Sequence, residues 1–369
     1  MRRILLTLHR WTGLTAGAVF VLAGLTGSLL VFYVELDALL TPALRQPETV
    51  AAPRASLESV YQALRAAHPE RARNWRIEVP ADPGAMLTAR YMKAEETAHL
   101  AFAPLIAWID PFTAEVRSSR FWGEFAMTWI YDLHYTLLLG RSGKIVLAVL
   151  GIALTASLLF GVVLWWPTHG KWRTALLLKR NASLQRRTYD LHKLAGIYGL
   201  VLSLMLCVTG VMLEIPQYVN PLIDRASPLF EAPALHSPPD GGAMRIDVDD
   251  AVRRAQAHFP GAPVRWIETP DGAEGVYRIQ LKQAGEPSER FPRTNVWLDQ
   301  YSGEVLAVRD PRAHGTGDVV LAWLHPLHSG EAFGMTGRLI VLFTGILPAV
   351  LFVTGVMRWV QKRKARRRM

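Results

Sequence analysis

The sequence predicts an α-helical membrane protein: four transmembrane helices, two small α+β modules outside the membrane, and an internal tandem duplication with pseudo-twofold symmetry. Three observations carry this reading. Four apolar stretches, roughly 11–34, 143–167, 194–215 and 337–360, each reach about the 20 residues a helix needs to cross a hydrocarbon core. Basic residues are segregated into three segments. The second half also repeats landmarks of the first at fixed offsets.

In chain order, the first helix spans 1–34. Its opening MRR resembles a signal peptide, but the apolar run is long and no small-x-small site precedes the acidic VELD, so it reads as retained. A module over 35–126 follows, then a second helix over 127–168 and a basic loop over 169–190. The third helix covers 191–216, the second module 217–319, the fourth helix 320–360 and a basic tail 361–369.

Charge sets the orientation. The N-terminus, the 168–193 loop and the tail after Met357 hold 3, 7 and 7 Lys/Arg, against the single acid Asp190. Segments 35–128 and 214–324 hold 21 basic and 28 acidic residues. Basic loops stay in the cytoplasm, which places both termini inside and both modules outside. Topology therefore accounts for the net charge of +10. The RRRM end reads as a stop that contacts anionic membrane lipid, and nucleic acid is not needed as a partner.

The repeat is specific. His9 is followed 17 and 18 residues later by Thr26-Gly27, and His192 at the same distances by Thr209-Gly210. WIYDLHYTLLLGRSGK aligns with WLHPLHSGEAFGMTGR at an offset of 194, setting Trp129 on Trp323, His134 on His328 and Lys144 on Arg338. Gly161 and Gly355 coincide, each 27 residues past its histidine. In the modules, AWIDPFTAEVRSSR parallels VWLDQYSGEVLAVR, an Asp-x-x-x-Gly/Ala-Glu-Val turn between two strands. Upstream of each lies an amphipathic helix, SLESVYQALRAAHP and VDDAVRRAQAHFPG. Each module buries a thin core and leans on its neighbour or the membrane surface.

Histidine within a span is costly and marks a functional site. Under twofold symmetry His9 faces His192 near the inner surface, and His134 faces His328 near the outer one. Facing imidazoles match bis-histidine ligation of haem iron, so the four are candidate axial ligands of two haem b. Without C-x-x-C-H, attachment is non-covalent. Imidazole also suits zinc or copper, but carboxylates and thiolates are missing at these depths. Gly13, Gly17, Gly196, Gly199, Gly140, Gly143, Gly334 and Gly337 offer side-chain-free patches for a flat macrocycle or close helix approach. Arg10, Lys193, Lys144 and Arg338 suit propionates, or snorkel at the membrane ends. His325, aligned with Tyr131, either swaps in as a ligand or lines a substrate site. His169 is either a loop residue or an alternative inner ligand. Trp122, Trp129, Tyr131 and Trp323 form an aromatic belt or a shelf for a flat substrate. His68, His99, His236, His258 and His314 read as surface residues.

The repeated Leu-His-x-x-x-Gly helices, alternating with modules that end in Asp-x-x-x-Gly/Ala-Glu-Val, resemble the PepSY-associated transmembrane proteins over essentially the whole chain. The modules are then PepSY-like and periplasmic, in a bacterial inner membrane. Ala114 departs from the pattern, standing where glycine is usual in the turn. The resemblance implies a haem-dependent oxidoreductase that reduces a ferric siderophore in the periplasm, with His9, His134, His192 and His328 as haem ligands. No nicotinamide or flavin fingerprint is present, so the donor is a separate flavoprotein, a diffusible flavin or a quinol. A non-enzymatic PepSY-type sensor or protease regulator, and a subunit serving another periplasmic acceptor, are the competing classes. A transporter would want broken helices, and these spans read as uniformly apolar between their ends.

Overall fold

The computed structural model describes residues 1–44, 47, 53–100, 102–238 and 244–367. Arg368 and Met369 of the basic tail lie outside the described residues. The helices are α1 (Arg2–Leu14), α2 (Ala16–Leu30), α3 (Tyr33–Leu40), α4 (Leu57–Ala67), α5 (Ala126–Thr136), α6 (Gly140–Trp165), α7 (Trp172–Ala175), α8 (Leu184–Tyr198), α9 (Leu200–Glu214), α10 (Pro216–Ala226), α11 (Val248–His258), α12 (Thr316–Ser329) and α13 (Gly334–Arg366). The strands are β1 (Arg76–Glu78), β2 (Leu87–Tyr91), β3 (Leu105–Ile109), β4 (Val116–Phe121), β5 (Val264–Glu268), β6 (Val276–Leu281), β7 (Thr294–Asp299) and β8 (Val305–Arg309). They divide into two compact units. One comprises Met1–Tyr33, Ile130–Val219 and Leu324–Met369, the other Val34–Trp129 and Asn220–Trp323.

The first unit is helical. Among the described residues, α6 and α13 are each long and apolar enough to cross a membrane. The pairs α1–α2 and α8–α9 reach that length only together, because they bend by 49° and 60° at their breaks. The breaks fall at Thr15 and Gly199, six and seven residues past His9 and His192. This corrects the reading of unbroken spans. Thr15 Oγ1 donates to Trp11 O at 2.8 Å, turning a threonine hydroxyl back onto its own helix, a bond that bends helices. At Gly199 a Cβ would come within 2.2 Å of Leu347 Cδ1, so a larger residue would have to displace that leucine where the bend packs against α13.

Small residues set the helix crossings, as expected where lipid is as apolar as leucine. A Cβ on Gly24 of α2 would lie 2.3 Å from Gly345 O of α13, and Ser28 Oγ donates to Leu342 O at 2.9 Å. On α6, a Cβ at Gly151 would meet Val211 Cγ2 of α9 at 2.5 Å. α2 and α13 therefore touch backbone to backbone, and α6 takes a valine methyl of α9 into the space left by Gly151.

The second unit holds one antiparallel sheet in the order β4-β3-β2-β1-β5-β6-β7-β8. The two modules thus share a sheet, joined where Arg76, Ile77 and Glu78 of β1 pair with Glu268, Ile267 and Trp266 of β5. One face carries Ile77, Ala89, Ala107, Ile109, Ile267, Ile279, Val296 and Leu298, packed with Val60, Tyr61 and Leu64 of α4 and Val248, Ala251, Val252 and Ala255 of α11 into one core. The thinness of each module is relieved by pooling. The helix starts are tied reciprocally: Asp249 accepts from Leu57 N and Glu58 N at 3.0 and 2.9 Å, and Glu58 accepts from Val248 N at 2.9 Å. Each carboxylate satisfies donors that a helix N-terminus leaves open.

The repeated turn is built by its aspartate. Asp110 Oδ1 accepts from Phe112 N and Thr113 N, and Asp299 Oδ1 accepts from Tyr301 N and Ser302 N. The residue that follows must turn left-handed. Gly303 does so at φ 70°, and Ala114 at φ 57°.

Candidate functional site

In the helical unit, α1, α8, α5 and α12 carry four imidazoles that gather into two pairs. The ring centres of His9 and His192 lie 6.2 Å apart, and those of His134 and His328 also 6.2 Å apart. The interplanar angles are 76° and 53°.

Each histidine is seated on a neighbouring helix by its Nδ1. His9 Nδ1 lies 2.9 Å from Ser157 O and 3.0 Å from Ser157 Oγ on α6. His134 Nδ1 lies 2.9 Å from Ala23 O and 3.1 Å from Thr26 Oγ1 on α2. For His192 the partners are Leu351 O at 3.1 Å and Thr354 Oγ1 at 2.9 Å on α13. His328 meets Thr209 Oγ1 of α9 at 3.0 Å. A carbonyl oxygen can only accept, so Nδ1 carries the proton in the first three. Thr209 gives its own hydroxyl proton to Met205 O at 2.7 Å, so its oxygen also accepts from His328. All four rings are therefore fixed in one tautomer, with the lone pair on Nε2.

Among the described residues, no hydrogen bond engages any of the four Nε2 atoms. Two lone-pair nitrogens cannot bond each other, but one cation can satisfy both. A metal–imidazole bond is about 2.0–2.1 Å and a ring nitrogen sits about 1.2 Å from its ring centre, so two rings on opposite sides of one metal would be about 6.4–6.6 Å apart. The observed 6.2 Å separations are slightly shorter than that span. Among the described residues no three His, Cys, Asp or Glu converge, as a closed zinc site would require.

Four glycines complete the seats. A Cβ on Gly27, Gly210, Gly161 or Gly355 would lie 2.8, 3.1, 3.2 or 3.6 Å from Cε1 of His134, His328, His9 or His192 respectively. In three seats that glycine follows the bonding threonine, as Thr26-Gly27, Thr209-Gly210 and Thr354-Gly355. In the fourth, Ser157 and Gly161 stand one turn apart. The registers of Thr26-Gly27, Thr209-Gly210, Gly161 and Gly355 were visible in the sequence as landmarks. Their role as seats for histidines on other helices was not.

The glycines read as patches for a macrocycle or for close helix approach divide between helix contacts and open space. Gly143 and Gly337 allow backbone contact, since a Cβ would lie 1.6 Å from Thr136 O and 2.2 Å from Gly330 O. Gly17, Gly196 and Gly199 face Phe352, Leu351 and Leu347. A Cβ at Gly13, Gly140 or Gly334 would meet nothing within 4 Å.

The four basic residues divide as well. Arg10, beside His9, keeps a buried Nε without a hydrogen-bond partner, as a site awaiting an anionic group would. Lys193 is already neutralised: its Nζ donates to Asp190 Oδ1 at 2.9 Å and to Leu177 O at 3.2 Å. That arrangement corrects its reading as a cation held in reserve for a propionate. Arg338 donates to Val31 O at 3.1 and 2.8 Å, closing the end of α2, and lies over Phe32. Lys144 Nζ stands 4.3 Å over the Tyr135 ring. Glu214, missed in the sequence, has a buried Oε2 with no hydrogen-bond partner.

The structure does not bring the remaining candidates into the pairs. His169 is exposed between α6 and α7. His325 is half-exposed, its Nδ1 3.9 Å from Glu331 Oε2. Tyr131 packs edge-on against Tyr135. Trp129 and Trp323 belong to the sheet unit, where Trp122 is buried edge-on to Phe102. His68 and His314 are not surface residues: His68 Nε2 bonds Ser119 Oγ at 2.8 Å, and His314 stacks on Phe230 at 5.0 Å.

The sequence profile of the PepSY-associated TM region family matches residues 6–362. The chain is also 24% identical over 258 residues to a Pseudomonas aeruginosa protein named Uncharacterized protein PA4219. The match covers 64% of each chain, so this chain spans just under two thirds of that relative's length.

Proposed function

Because the chain belongs to the PepSY-associated TM region family, we propose that it is a di-haem b membrane protein that carries electrons to a ferric siderophore. It lies in a bacterial inner membrane with four spans, each bent pair counted as one. Both termini are cytoplasmic, and the sheet unit, formed from the two tandem copies of the module, is periplasmic. The reading is carried by the two imidazole pairs, each 6.2 Å between ring centres, with Nδ1 anchored and Nε2 unengaged.

His9 and His192 would hold one haem and His134 and His328 the other, each supplying a reversible one-electron change at its iron when bound. The Ser157, Thr26, Thr354 and Thr209 hydroxyls and the neighbouring carbonyls fix ring orientation and keep the ligand nitrogens basic. Arg10 would pair with a propionate through its open Nε. The donor is a flavin, a flavoprotein or a quinol on the cytoplasmic side. Each electron converts one Fe(III) of the chelate to Fe(II), which hard oxygen donors hold less tightly, so the metal is released. Helix breaks near Thr15 and Gly199 serve the histidines in this reading, since they lie close to one histidine pair and far from the other.

A reduced-minus-oxidised spectrum of the purified protein tests it. A b-type signal with two haems per chain is expected, bleached on adding a ferric siderophore to the reduced protein. A colourless protein after expression with ample haem would end the reading.

A further inference from the structure

The face of the sheet opposite α4 and α11 carries an arrangement that folding alone does not favour. At the seam of the two modules, Arg76 of β1 stands directly opposite Arg90 of β2 on one side and Glu268 of β5 on the other. Glu268 in turn stands opposite Arg278 of β6. Three guanidiniums thus share one row across four strands with a single carboxylate. Like charges directly opposite each other destabilise a sheet.

The acids nearby are committed to other partners. Glu268 binds Arg278 at 3.1 Å, and Glu78 binds Arg290 at 2.5 and 2.8 Å and reaches Arg90 at 3.7 Å. Among the described residues Arg76 has no ion pair. Its Nη2 donates to Gln280 Oε1 at 3.4 Å, its Nε is buried without a partner, and its guanidinium lies 4.4 Å over Trp266. Arg90 lies over the same indole at 4.8 Å. Burial, then the neighbouring Arg278 and Arg90, pull the Arg76 guanidinium down to about 10, so it remains charged at neutral pH. Glu268 and Glu78 offset part of that cost, but a largely buried cation with no ion pair of its own remains short of a partner unless an anion completes it.

We propose that Arg76, with Arg90 and Arg278 beside it and Trp266 beneath it, forms a binding site for the carboxylates of a multiply anionic, oxygen-rich chelate. The indole holds the guanidinium plane, leaving its fork to take a carboxylate in bidentate fashion. The ligand's identity as a metal chelate rests on the redox reading above. The anion site itself does not.

The test measures binding to the full chain in detergent, without reductant, by calorimetry. The probes are citrate, ferric citrate and a neutral ferric trihydroxamate. Citrate and ferric citrate are expected to bind and to lose at least tenfold in affinity in Arg76→Gln. Arg65→Gln, which removes one charge from an exposed position on α4, should bind as the parent does. Arg278→Gln frees Glu268 to neutralise Arg76 and should weaken binding as well, which covers the case of an unfolded Arg76→Gln. Equal binding of the neutral chelate, no binding of citrate, or unchanged affinity in both arginine variants overturns the proposal. A colourless protein that still binds citrate through Arg76 keeps this site and ends the redox reading, and a red protein with unaltered citrate binding in Arg76→Gln does the reverse.

Discussion

A Cβ atom on Gly27 would stand 2.8 Å from Cε1 of His134. The contact joins α2 to α5 at a residue whose only side-chain group is a hydrogen, and the same relation recurs at the other three histidines with growing clearance. Gly27→Ala must therefore push the ring aside, an overpacking cost of about 1–3 kcal/mol. Its haem content should fall to one per chain. Gly355→Ala, with 3.6 Å available at His192, should keep both. Pyridine haemochrome assays on the two variants check the order; equal loss in both would break the link between clearance and occupancy.

Removing the hydroxyl that orients a ring tests the second layer. Thr26→Val and Thr209→Val keep shape but leave Nδ1 of His134 and His328 with one acceptor fewer. Such changes typically weaken cofactor binding about 10–100-fold. Thr155→Val removes a hydroxyl that, among the described residues, bonds only Gly151 O and serves as the control. Haem retention during dilution is the readout.

His9→Ala or His192→Ala should remove one haem and leave the other, and His134→Ala or His328→Ala should do the converse. His169→Ala and His325→Ala should retain both, since neither ring stands in a pair. For His325→Ala, a changed rate of chelate reduction with full haem content is the expected signature. Loss of a haem there, with His328→Ala fully loaded, would reassign the ligand.

Ala114 holds a left-handed φ of 57° where its counterpart is Gly303. Ala114→Gly should relieve that strain and stabilise the sheet unit by about 0.5–1 kcal/mol, after glycine's greater unfolded entropy is counted. Thermal unfolding of the full chain would show it; a lowered midpoint would mean the alanine methyl's packing outweighs the backbone strain.

Glu78 supplies a pH test outside the membrane. Burial pushes its carboxyl up, but Arg290 and Arg90 outweigh burial and hold it at about 2, below its ordinary 4.5. A depressed folded-state value gives stability that is complete above pH 4.5 and lost as pH falls toward 2. Glu78→Gln should be less stable than the parent at neutral pH, with the gap closing over that window. A gap that stays constant from pH 7 to 2 would show that the ion pairs are not its source.

The sequence by itself determined the inventory: four apolar stretches, four histidines in register, the Thr-Gly landmarks and the aspartate turns. These are local or periodic properties, and hydropathy, charge and spacing encode them directly. Only the tertiary structure decided which atoms meet. That Thr26-Gly27 receives His134 rather than a residue of its own half-helix follows from the crossing of α5 over α2, and the preceding loop folds onto α8 so that Lys179 N donates to Asp190 and Lys193 donates to Leu177 O. The joining of β1 to β5, and with it the row that brings Glu268 and Arg278 beside Arg76, depends on pairing strands nearly 190 residues apart. Such contacts arise from packing two layers around one core, and no window of sequence contains both partners.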